Sequence, residues 1–102
     1  MAVKLTVVYD NPEDPEAFEK HYASTHAALA GKVPDVQRVE TAKVFPKEDG
    51  SDTPAYRTAD LYFVDYATAS AALATPEGQA LAADVDSIAT GGYRMLLSQV
   101  GG

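Results

Sequence analysis

VKLTVVYDNPEDPEAFEKHYASTHAALAG, residues 3–31, changes its period once, and that change decides the fold. Over the first part, Val3, Leu5, Val7 and Tyr9 fall on one face, the period-two signature of a half-buried strand. Asp10-Asn11-Pro12 is a turn. Asp14 then precedes Pro15, an acceptor side chain at the N-cap followed by proline where its missing N–H is harmless. This predicts one helix from Pro15 to about Ala30, closed by Gly31 and Pro34. Phe18, Tyr22, Thr25 and Leu29 recur at helical spacing and form its expected buried stripe.

Working outward, Val36–Phe45 reads as a second strand and Pro46–Pro54 (PKEDGSDTP) as a turn-rich hairpin tip. Ala55–Val64 is a third strand. Asp65 caps an alanine-rich helix over Tyr66–Ala74, and Thr75-Pro76 repeats the cap-then-proline signal for a helix running to about Asp86. Gly91-Gly92 leads into a last strand, Tyr93–Val100. The order β-α-β-β-α-β specifies an α+β, ferredoxin-like domain over residues 1–102, a four-stranded antiparallel sheet with both helices on one face. Leu5, Val7, Tyr9, Ala59, Leu61 and Phe63 are expected beneath the helices. The opposite face would carry Lys4, Thr6, Val8, Thr58, Asp60, Tyr62 and Val64, too apolar to stay wet. Two such faces pairing into an eight-stranded barrel would cover it, so a homodimer through the sheet face is expected.

Composition narrows the function. With 102 residues, 46% hydrophobic and 23% charged, the chain is ordinary for one globular domain. No cysteine is present, which removes disulfides, thiol catalysis and thiolate metal sites. A net charge of −7 argues against a nucleic-acid partner. No run is long and apolar enough for a membrane span, and no leader pattern opens the chain, so a cytoplasmic location is expected. No cofactor motif and no metal-ligand spacing are found.

The stretch Val7–Pro34, with a strand, a turn containing Pro12 and Asp14, and Phe18, Tyr22 and His26 in a Phe-x-x-x-Tyr-x-x-x-His pattern, resembles the opening of the EthD family, named for ethyl tert-butyl ether degradation. Thr75–Gly92 (TPEGQALAADVDSIATGG) resembles its second-helix segment and the glycines before the final strand. The resemblance implies a dimeric α+β barrel handling small, mostly apolar organic compounds. Some members resemble methylmuconolactone isomerases or polyketide dehydratases, and many are called reductases. Where the family's helix continues His-x-Pro-Leu, this chain has His26-Ala27-Ala28-Leu29, and Pro34-Asp35 stands where Pro-Gly is usual. Both departures bear on the pocket mouth.

His26 is the candidate acid–base residue, because imidazole can accept and return a proton near neutrality. At roughly 100° per residue it lies about 40° from Tyr22, beside the stripe. Tyr22 is the candidate orienting residue. Phe18, Tyr9, Tyr62, Phe63 and Met95, with Tyr93, could line a pocket for a small hydrophobic ligand. The competing reading for all of them is core packing. His21 and His26 would sit about 140° apart on a regular helix, so His21 is expected on the solvent side and the two are no metal pair. Asp84 and Asp86 read as helix-end caps or dimer contacts.

Three functions fit these residues. The first is a protein binding or transforming a small hydrophobic carbonyl or aromatic compound by His-mediated proton transfer, of isomerase or dehydratase type. The second is a non-catalytic carrier or accessory protein for a partner oxygenase. The third is an RNA-recognition module, which Phe63-Val64-Asp65-Tyr66 faintly matches; Ala59-Asp60, Leu61 and the acidic charge oppose it.

Overall fold

The computed structural model describes residues 2–101. Met1 and Gly102, the ends of the domain expected over 1–102, lie outside the described residues. Strand β1 (Val3–Tyr9) occupies an inner position, with β2 (Arg38–Lys43), β3 (Arg57–Phe63) and β4 (Tyr93–Gln99) in the order β2-β3-β1-β4, all antiparallel. Leu5 stands opposite Leu61 and Leu97, and Val7 opposite Ala59 and Met95. Because facing residues share a side of the sheet, this register gathers the apolar set onto one surface. Val3, Leu5, Val7, Tyr9, Ala59, Leu61 and Phe63 are all buried there, as the alternation predicts.

The helices lie over that surface. Asp14 caps α1 (Pro15–His21) by accepting from the Ala17 N–H at 3.2 Å. Asp65 caps α3 (Tyr66–Ala74), and Thr75 caps α4 (Pro76–Ile88). Gly78 lets α4 turn tightly against α3: a Cβ there would stand 2.5 Å from the Ala72 carbonyl oxygen. Two apolar clusters result. Val3, Leu5, Leu61, Phe63, Ala69, Ala72 and Leu81 share one, and Val7, Tyr9, Phe18, Tyr22, Val85 and Ile88 the other. Full burial of a large aliphatic or aromatic side chain contributes about 1.5–3 kcal/mol.

The first helix departs from expectation. Between α1 and α2 (Ala27–Ala30), residues Tyr22–His26 form a π-helical turn, in which the Ala27 N–H reaches the Tyr22 carbonyl. The Ser24 hydroxyl donates to the Lys20 carbonyl at 2.8 Å and competes for an acceptor of the regular ladder. A turn closed by i→i+5 bonds holds one extra residue, which rotates the remainder of the helix about its axis. Thr25, expected in the stripe, is therefore exposed, and His26 is buried in its place.

On the far face, Thr6 donates to Asp60, Lys4 pairs with Asp60 at 3.7 Å, and Tyr62 donates to Glu40 at 2.6 Å. Leu96 stands among these groups, 53% exposed. No helix among the described residues is long and apolar enough to cross a membrane.

Candidate functional site

The site begins with the aromatic ladder that the π turn aligns. Phe18, Tyr22 and His26 stack in sequence, with ring centroids 5.5 and 4.9 Å apart. Tyr9, at the end of β1, meets all three edge-on. From the other helix, Leu81, Val85 and Ile88 repeat at i, i+4 and i+7 toward the sheet. Asp84, at i+3, occupies the same face and so delivers a carboxylate into the apolar seam.

That carboxylate meets two imidazoles. His26 Nδ1 lies 2.7 Å from Asp84 Oδ2, and His21 Nε2 lies 2.8 Å from Oδ1. Burial alone would raise the Asp84 carboxyl, but the hydrogen bonds from His21 and His26 outweigh it and hold it below the ordinary carboxylate range. Ionised Asp84 has no proton to donate, so His26 Nδ1 donates to it, and in the neutral ring Nε2 carries the free lone pair. Tyr9 Oη stands 3.3 Å from that nitrogen. Burial first, then the neighbouring Tyr22 and Asp84, push the Tyr9 phenol well above its usual range, so it remains a neutral donor. The Tyr9–His26 contact is long for a hydrogen bond and is easily displaced by a better partner. Burial likewise raises Tyr22, against the opposing pull of Arg57, whose guanidinium lies 4.8 Å from the Tyr22 ring centre. Arg57 is in turn held by both oxygens of Glu19 at 2.9 Å.

His26 separates two apolar cavities. One, of about 110 Å³, is lined by Leu5, Val7, Leu81, Val85 and Met95. The other, of about 180 Å³, is lined by Tyr22, Ala30, Val39 and Thr41. Ala59 and Leu61 of β3 floor both, and His26 is the only imidazole in either lining. A larger hollow of about 520 Å³ beside the β2–β3 hairpin is open, and no imidazole reaches it.

The expected residues therefore divide. His26, Tyr22 and Met95 line the cavities; Phe18 and Tyr9 back the imidazole and its stack. Tyr62 does not join them, because its strand register puts it on the opposite face, bonded to Glu40. Phe63 does not either; it is fully buried in the other cluster. Tyr93 donates to Asp86 at 3.2 Å, away from the imidazole. His21 and Asp84 were not expected here. The regular-helix angle placed the two histidines on different faces, but five residues span one i→i+5 turn and bring both onto Asp84. The usable signal for Asp84 was an acid at i+3 on an apolar stripe. Among the described residues, no cluster of three acidic, His or Cys side chains is disposed to hold a metal ion.

A family model described as the EthD domain matches residues 10–92. An uncharacterized 11.0 kDa protein in the thcB-thcC intergenic region of Rhodococcus erythropolis is 44% identical over 95 residues, which cover 93% of this chain and 91% of that protein. The solved structure of an ethyl tert-butyl ether degradation (EthD) family protein, bh0200 of Bacillus halodurans C-125, superposes with a TM-score of 0.90 at 29% identity, covering 97% of this chain and 98% of that one. A protein of Thermobifida fusca YX described as dimeric and ferredoxin-like shares the fold alone: TM-score 0.73, 9% identity, 98% and 92% covered.

Proposed function

The chain belongs to the EthD family, and from that premise we propose that it binds a small, largely apolar carbonyl or aromatic compound beside His26 and moves a proton on it. One observation carries this reading: a lone imidazole, oriented by Asp84 at 2.7 Å, stands between two apolar cavities with a neutral phenol at its other nitrogen. In the proposed step the substrate's carbonyl displaces the Tyr9–His26 contact. His26 Nε2 takes a proton from the carbon next to the carbonyl, and the C–H electron pair moves into the enolate. The Tyr9 O–H then donates to the enolate oxygen, in a seam where water is scarce and such a bond is strong. Asp84 stabilises the imidazolium through Nδ1–H. The imidazolium returns the proton to a different carbon in an isomerisation, or to a leaving hydroxyl, released as water, in a dehydration.

The polar but partly apolar far face fits the same reading, with a second copy pairing through it. That homodimer agrees with the dimeric description of the Thermobifida relative.

Small cyclic ketones and lactones in D2O, followed by proton NMR, test the step. The protein is expected to accelerate deuterium uptake at the carbon next to the carbonyl, and His26→Gln to lose about a hundredfold or more of that rate. Ligand-induced thermal stabilisation without any deuterium uptake refutes proton transfer. It favours instead a carrier or accessory role, such as the support of a partner oxygenase.

A further inference from the structure

We infer that His21 is a positioning residue for His26, acting through Asp84. The inference rests on the proton-transfer reading and adds to it a residue that contacts neither cavity. A carboxylate held at one oxygen swings about its broad terminal torsion. Asp84 is held at both: His26 Nδ1 at Oδ2, 2.7 Å, and His21 Nε2 at Oδ1, 2.8 Å. Two donors fix its plane, and that plane keeps Oδ2 in line with the buried ring. Exposure is graded along the row. The His21 side chain is 38% exposed, Asp84 11% and His26 6%. His21 thus occupies the solvent side of the carboxylate, where water would otherwise bind it in changing geometry.

The π turn exists on this side of the molecule, and its span explains how the pair forms. His21 immediately precedes the turn and His26 ends it. On a regular helix the outer imidazole would point roughly 140° away and could not reach α4. With Asp84 locked, His26 keeps its proton on Nδ1 and its lone pair on Nε2. Without His21, the carboxylate can turn, and the ring is free to sample the other tautomer, which places a proton where the base is needed.

The test uses the full chain in three forms: wild type, His21→Ala and His21→Gln, the last retaining a side-chain N–H for Asp84. Long-range proton–nitrogen NMR reads the tautomer of the neutral His26 ring. The expected result is a single Nδ1–H form in the wild type, a mixture of tautomers in His21→Ala and restoration in His21→Gln. In the deuterium-uptake assay, kcat falls about tenfold in His21→Ala with KM unchanged, as loss of one charge-assisted bond implies. An unchanged tautomer in His21→Ala, or no restoration in His21→Gln, overturns the inference. The tautomer response without deuterium uptake by the wild type overturns the proton-transfer reading and leaves the positioning role standing. His21 is partly exposed, and its replacement by alanine adds no bulk to the seam; should that variant not fold, His21→Ser removes the same N–H and is read by the same criterion.

Discussion

Replacing Asp84 with Asn keeps the shape of the side chain and removes the charge that both imidazoles address. Hydrogen bonds to charged groups contribute about 1.5–3 kcal/mol each. The His26 bond is well buried and keeps that value, whereas the His21 bond, on a side chain 38% exposed, is screened to under about 1 kcal/mol. The expected loss is therefore about 2–4 kcal/mol. In a chain of 102 residues each kcal/mol moves Tm by roughly 4–8 °C, so Asp84→Asn melts on the order of 10–25 °C lower at neutral pH. The pH dependence has a definite sign. The folded Asp84 carboxyl titrates below its ordinary value, so the stabilisation is present above the unfolded carboxylate value of about 3.9 and is lost as pH falls through the folded one. Circular-dichroism melts of both proteins at a series of pH values measure the gap directly. It should persist down to about pH 4 and close below it. A gap of constant size from neutrality into strong acid, or none at neutrality, would refute the account of Asp84.

Gly78→Ala should destabilise the fold by about 2–4 kcal/mol, read from a denaturant midpoint, because the new methyl meets rigid backbone: the Ala72 carbonyl oxygen at 2.5 Å and Leu73 Cα at 2.7 Å. An unchanged midpoint would mean that α3 and α4 are not so closely apposed. Leu96→Asp places a carboxylate on the open sheet face in one cross-strand row with Thr6 and Asp60, so that like charges crowd wherever two copies pair. Sedimentation should find the variant monomeric at concentrations where the parent is dimeric, with its circular dichroism unchanged. A parent chain that is already monomeric there would sink the paired-face reading.

Most of the fold was legible because its signals are local. The alternation in Val3–Tyr9 needs only period two, and Asp14-Pro15, Asp65 and Thr75-Pro76 mark helix starts through side chains that cap the third residue onward. Strand ends were less so. The second strand shortens from Val36–Phe45 to Arg38–Lys43, because pairing with β3 and not composition sets its limits. Tyr62 and Phe63 illustrate the next difficulty. Both are aromatics on one strand, and only the pleat decides that Phe63 faces the helices and Tyr62 the open surface.

The site itself was half legible, and the missing half has one cause. A helical wheel assumes roughly 100° per residue, and over Tyr22–His26 that assumption fails. Given the wheel, His26 flanks the stripe, Thr25 belongs in it and His21 faces water. With the extra residue, His26 takes the buried place, Thr25 leaves it and His21 turns toward α4. Interrupting the α-helical ladder has a cost, so the turn persists only where the surrounding contacts over-determine it. Here they do: the Phe18–Tyr22–His26 stack fixes one side, and the two bonds to Asp84 fix the other. Asp84 in turn tolerates the apolar face of α4 only because two imidazoles satisfy its oxygens. Each oddity supports the other. The acid on the stripe and the histidines five apart are thus one feature, written at two places in the sequence that no local pattern connects.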